Sequence, residues 1–193
     1  MLFRSFKHLA ATRKALAEEG TITIFNRLGP CLNPARPAYQ LLGVYDPAYM
    51  KQMAHALQEN GGRSGWVVHG LIAEENNQGV DELTSCGSNL IQSYGLSNNE
   101  SVVLHPEDWG QEVYSKNDLS GGTIEENLGI LKQLLQGKAK PGLQSTILVN
   151  AASALFLVGK AKTLEEGVEI AEKLLLEGHV LSWLEKAKGF FSK

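Results

Sequence analysis

The chain has 193 residues, with 18 Lys and Arg against 21 Asp and Glu for a net charge of −3; 43% of its residues are hydrophobic and 20% charged. That composition belongs to a folded globular chain and excludes bulk disorder, and the length suits one domain with a sizeable core. The acidic balance argues against a dedicated nucleic-acid binder, and no apolar run reaches the roughly 18 residues that span a bilayer, so a soluble, cytoplasmic protein is expected.

In chain order, residues 1–17 hold Arg4, Lys7, Arg13 and Lys14 without an acid, and Phe3, Phe6, Leu9 and Ala10 fall at helical spacing. They predict a basic-faced first helix, with an organelle transit peptide as the alternative. The β-branched run Thr21 to Phe25 predicts a strand. Pro30, Pro34 and Pro37 exclude regular structure over residues 26–37. Residues 39–44 read as a buried strand, and Asp46-Pro47 opens a helix through Met50, Met53, Ala54 and Leu57 that stops before Gly61-Gly62. Residues 65–69 form another short strand, a polar insertion over 74–78 leads to Gly79-Val-Asp-Glu-Leu-Thr-Ser85, and residues 101–104 form a further strand. From Thr123 onward the pattern is helical, with capping boxes at Thr123/Glu126 and Thr163/Glu166. The small, apolar run from Ser145 to Val158 predicts a helix packed on all sides. Together these elements predict a single α/β domain over residues 1–193, with a largely parallel sheet flanked by helices.

In open α/β sheets ligands bind beyond the carboxyl ends of the strands. Position alone therefore singles out Arg13, Asn26, Gly29, Asn33, His69, Asp81 and Glu82. Asp81 and Glu82 are the most suggestive, because adjacent carboxylates suit a hard cation such as Mg²⁺, completed by waters and a substrate phosphate; a solvated acidic pair is the plain alternative. His69 suits an acid or base near neutral pH, or a structural role at a strand end. Arg13 can hold a carboxylate in two-point fashion, or lie on a helix surface. Gly121-Gly122 is an anion-binding helix start or a simple turn. His8, His55, His105 and His179 lack zinc-ligand spacing, Cys31 and Cys86 form no CxxC pair, and no GxGxxG, Walker or GxSxG motif occurs.

Several runs, in order, carry a family resemblance: Lys7-His-Leu-Ala-Ala-Thr-Arg13; Thr23-Ile-Phe-Asn-Arg-Leu-Gly-Pro-Cys-Leu-Asn-Pro-Ala35; Gln40-Leu-Leu-Gly-Val-Tyr-Asp-Pro47; Val67-Val-His-Gly70; Gly79-Val-Asp-Glu-Leu-Thr84; Gly121-Gly122 with Glu126-Asn127; and Asn150-Ala-Ala-Ser-Ala-Leu155 with Gly159-Lys-Ala161. The chain resembles the anthranilate phosphoribosyltransferases, which pass the phosphoribosyl group of phosphoribosyl pyrophosphate (PRPP) to the amine of anthranilate and release pyrophosphate, in tryptophan biosynthesis. The resemblance implies that Arg13 holds the anthranilate carboxylate, that Gly29 and Pro30 line the aromatic substrate's channel, and that Asp81 and Glu82 bind Mg²⁺ on the pyrophosphate. Anthranilate's own nitrogen is the nucleophile, so the resemblance implies no catalytic residue from the protein. Anthranilate and PRPP are the partners it implies, with a homodimer in the intact family.

The chain also departs from that family. It lacks the amino-terminal helical domain, the glycine-rich GTGGD-type loop for PRPP phosphates, and the Lys- and Ser/Thr-rich segment that follows. Phe3 replaces a usual His, a few extra residues separate Arg13 from Ile24-Phe-Asn26, and residues 71–78 lengthen the loop before the acidic pair. The chain is therefore expected to be the carboxy-terminal portion of such an enzyme, inactive or weak alone. The alternatives are a non-catalytic fragment or a nucleic-acid- or protein-binding relative of the same fold, and, third, a nucleoside phosphorylase.

Overall fold

The structure is a computed structural model that describes residues 10–21, 23, 29–76, 78–96 and 99–191. The chain divides into two compact units, Met1–Arg36 and Pro37–Lys193. In the first, helix α1 spans Ala10–Glu18, and Pro30 opens a short 3₁₀ turn over Pro30–Leu32, where its missing N–H costs nothing. Asn33 Oδ1 accepts from the Ala35 N–H at 3.0 Å, the side-chain turn that suits an Asn-Pro step. Of the expected strand at residues 21–25 only Thr21 and Thr23 are described, neither in a strand, and Asn26 and the expected first helix before Ala10 lie outside the described residues.

The second unit holds strands β1 (Tyr39–Gly43), β2 (Ser64–Ile72), β3 (Gln78–Val80), β4 (Asn89–Gly95) and β5 (Ser101–Leu104), with helix α2 (Met50–Glu59) between β1 and β2. Four helices follow: α3 (Ile124–Leu135), α4 (Pro141–Leu157), α5 (Leu164–Leu176) and α6 (His179–Phe191). Asp46 Oδ1 accepts from the Ala48 N–H at 3.0 Å and starts the turn into α2, which buries Met50, Met53, Ala54 and Leu57, the stripe its spacing requires. The sheet order is β1-β2-β4-β5.

The α/β architecture with flanking helices is as expected, but the strand pairing differs. Among the described residues β1–β2 is parallel, whereas β2–β3, β2–β4 and β4–β5 are antiparallel, so the sheet is mixed rather than largely parallel. Connection length explains two of these pairs. A parallel return needs about a dozen or more residues, which α2 supplies between β1 and β2; the links Ile72 to Gln78 and Gly95 to Ser101 are shorter, so β3 turns back on β2 and β5 on β4.

The core joins Trp66 and Val68 of β2, Ile91 of β4, Leu83 and Trp109 to Leu148, Val149 and Ala152 of α4 and Val168 and Ala171 of α5. α4 and α5 meet through small residues: a Cβ on Gly167 would lie 2.9 Å from the Cα of Ala152. Lys140 cannot cap α4 with an acceptor, and Asp118 does so from outside, its Oδ2 accepting from the Gly142 N–H at 2.9 Å.

Candidate functional site

β2 brings the acidic pair to the carboxyl end of β1. Residues 64–68 of β2 pair with β1, and residues 70–72 pair with β3. β4 occupies the opposite edge of β2 from Ser64 to Gly70, so β3 takes β1's edge just beyond the point where β1 ends. Asp81 and Glu82 directly follow β3 and are exposed.

Glycines let the backbones close around this segment. A Cβ on Gly43, the last residue of β1, would lie 1.5 Å from the Asp81 carbonyl oxygen, and one on Gly70 would lie 2.5 Å from that of Glu82. Only glycine permits such approaches. On its far side the segment is held by α4. Asn150 Nδ2 donates to the Leu83 carbonyl at 2.8 Å while its Oδ1 accepts from the Leu83 N–H at 3.3 Å, an amide clamp on one peptide residue. Beyond it, Thr84 N–H donates to Asn89 Oδ1 at 2.7 Å, and Ser85 N–H donates to Thr146 Oγ1 at 3.1 Å. The acidic pair thus stands at the exposed end of a buried segment, Leu83 to Ser85, whose backbone is held by side chains of α4 and Asn89.

The Glu82 carboxyl is raised above its ordinary pKa, first because it is partly withdrawn from water and then because Asp81 places a negative charge beside it. A cation between or beside the two carboxylates would relieve that repulsion. Among the described residues no group of three or more His, Cys, Asp or Glu side chains gathers as a metal cluster. Two adjacent carboxylates, with water and phosphate oxygens, are a donor set of the kind that Mg²⁺ takes. The residues fit a hard divalent ion and not zinc.

His69 is buried in β2, 3% exposed, and its Nδ1–H donates to the Val44 carbonyl at 2.8 Å. The structural role is the one it fills. The insertion before the acidic pair is held by the segment at Ser115 and Lys116: Glu74 Oε2 accepts from Ser115 Oγ at 3.2 Å and from the Lys116 N–H at 3.3 Å, and Glu75 pairs with Lys116. Arg13 lies in α1, and Gly29 and Pro30 at the start of the 3₁₀ turn, all in the first unit, whereas Asp81 and Glu82 belong to the second. Gly29 has ordinary right-handed helical angles, and a Cβ there would meet nothing within 4 Å among the described residues. A cavity of about 670 Å³ opens at the opposite end of the strands, beside Tyr39 and Ser64, with Trp66 and Phe156 in its wall.

Residues 1–181 match the Glycosyl transferase family, a/b domain. The chain belongs to this glycosyltransferase family. It is 35% identical over 187 residues to the anthranilate phosphoribosyltransferase of Petrotoga mobilis, covering 97% of this chain and 52% of that protein. The crystal structure of anthranilate phosphoribosyltransferase from Thermus thermophilus superposes with a TM-score of 0.84 at 34% identity, over 98% of this chain and 53% of that one. The Saccharomyces cerevisiae enzyme in complex with PRPP and Mg superposes with a TM-score of 0.81 at 27% identity, over 94% of this chain and 50% of that one. The chain thus spans about half the length of these relatives. Sequence reasoning did not single out Gly43, Gly70 and Asn150 as the supports of this domain's acidic pair. A signal existed for Asn150, since an amide inside an otherwise small and apolar helix needs a bonding partner.

Proposed function

We propose that the chain is the α/β portion of an anthranilate phosphoribosyltransferase, serving transfer of phosphoribosyl from PRPP to anthranilate in tryptophan biosynthesis. The observation that carries this reading is the acidic pair fixed at the carboxyl end of β1 by Gly43, Gly70 and Asn150. Asp81 and Glu82 are the residues that would hold Mg²⁺ at the pyrophosphate end of PRPP, where the ion would supply positive charge to offset that of the leaving pyrophosphate. Arg13 grips the anthranilate carboxylate by two parallel hydrogen bonds, and Gly29 and Pro30 line the path of its ring. The attacking amine belongs to anthranilate, so these residues bind and orient while none acts as nucleophile. The 193 residues contain no GTGGD-type phosphate loop, and turnover by them alone is expected to be absent or weak.

A thermal-shift experiment tests the reading. Mg²⁺ and PRPP together are expected to raise the melting temperature where neither alone does, and Asp81→Asn is expected to abolish the joint shift. A joint shift of the same size in Asp81→Asn, or none in the unmodified chain, contradicts it.

A further inference from the structure

We propose that His69 is the positioning residue of the acidic pair, holding by one imidazole both the loop that leaves β1 and the strand that delivers Asp81 and Glu82. The inference rests on reading that pair as the cation- and phosphate-binding group. β2 is apolar around it, Trp66-Val-Val68 before and Leu71-Ile72 after, so a buried polar ring here needs a partner. Its two contacts point in different directions along the site. Nδ1–H donates to the Val44 carbonyl at 2.8 Å, and Val44 N–H in turn donates to the Val68 carbonyl at 2.9 Å, so the residue after β1 is fixed on both sides of its peptide.

The second contact is steric. A Cβ on Gly79 would lie 2.0 Å from Cε1 and 2.1 Å from Nε2 of His69, so the backbone of β3 rests directly on the ring. Gly79 pairs with Leu71, and Asp81 follows two residues later with its carbonyl against Gly43. The ring therefore sets how closely β3 approaches, while its hydrogen bond sets the loop beyond Gly43. Phenylalanine would keep the first function and orphan the Val44 carbonyl; asparagine would keep a donor and remove the ring from Gly79.

Hydrogen exchange on the full chain separates these roles. In His69→Phe, exchange is expected to rise about tenfold or more over residues 43–46. In His69→Asn the rise is expected over residues 79–83 instead. In both, residues 148–157 of α4 stay as protected as in the unmodified chain. Mn²⁺ affinity, read by its paramagnetic resonance, is expected to fall about 10- to 100-fold in each variant, the usual effect of losing a supporting contact behind a ligand. Asp81→Asn serves as the reference: if it leaves Mn²⁺ binding unchanged, the cation reading fails, while the exchange pattern still decides the role of His69. Exchange that is unchanged at both segments, or that rises equally in α4, overturns the proposal. Should either variant fail to fold, Gly79→Ala supplies the test. It is expected to melt lower alone than in combination with His69→Ala, and additive losses overturn the contact.

Discussion

Glu82 is the residue whose ionisation reports on the acidic pair. Partial loss of water and the charge of Asp81 raise its pKa above the ordinary 4.5, so between that value and the raised one the folded chain binds more protons than the unfolded chain. Stability contributed at this residue therefore falls as pH rises through that window. Cation binding runs the other way, because it needs the ionised form. Mn²⁺ affinity measured upward from pH 4.5 is expected to climb, and to climb less steeply in Glu82→Gln; equal slopes would contradict the assignment. Glycines give a second contrast. Gly43→Ala drives a Cβ onto the Asp81 carbonyl and is expected to cost about 1–3 kcal/mol in urea unfolding. Gly29→Ala meets nothing among the described residues and is expected to stay within about 0.5 kcal/mol. Asp81-Glu82 was legible as a dipeptide with metal-ligating chemistry. Gly43 was not, because its role depends on which backbone crosses it, and that follows from the β2–β3 pairing.

At the scale of elements, the helices were read well and the sheet less so. α2 announces itself by Asp46-Pro47 and its buried stripe, and α3 by a complete capping box. Thr123 N–H donates to Glu126 Oε2 at 2.7 Å and Glu126 N–H donates to Thr123 Oγ1 at 3.3 Å. The matching pattern at α5 is only half used: Glu166 N–H donates to Thr163 Oγ1, but the Glu166 carboxylate accepts from the Lys162 N–H. β4 went unread because it is central and buried along both faces, with Gln92 and Ser93 inside, so no alternation shows. Those polar groups are bonded where they lie, Ser101 Oγ donating to Gln92 Oε1 at 2.6 Å and Gln92 Nε2 to the Ser93 carbonyl at 3.0 Å. The Thr123 backbone N–H, then its hydroxyl, holds the Glu126 carboxyl below its ordinary pKa. Its support of α3 is full above pH 4.5 and is lost as pH falls through the lowered value. Acid titration by NMR is expected to show the first turn of α3 loosening there, and Glu126→Gln is expected to remove that acid step. Between elements, Asn150→Ala leaves the N–H and carbonyl of Leu83 without partners and is expected to cost about 1–3 kcal/mol for each.

Across the whole molecule, one cysteine falls in each compact unit. Cys31 is half-buried, and Cys86 is fully buried, with burial the main cause of its raised pKa. A thiol reagent is expected to reach Cys31 in native buffer and Cys86 only as the unit from Pro37 to Lys193 unfolds; equal labelling rates would contradict the core described for that unit. α6 buries none of its residues and leaves Trp183 67% exposed. The strap from Leu83 to Asn89 is complete within the second unit, which is why the placement of the acidic pair follows from this chain's own contacts. Asp81 and Glu82 are proposed to hold PRPP through a divalent ion. The most direct test is calorimetric titration of PRPP, with and without Mg²⁺, into the chain and its Asp81→Asn and Glu82→Gln variants. Binding is expected to require Mg²⁺ and to vanish or weaken strongly in both variants. Binding that is the same without Mg²⁺, or unchanged by both substitutions, would contradict it.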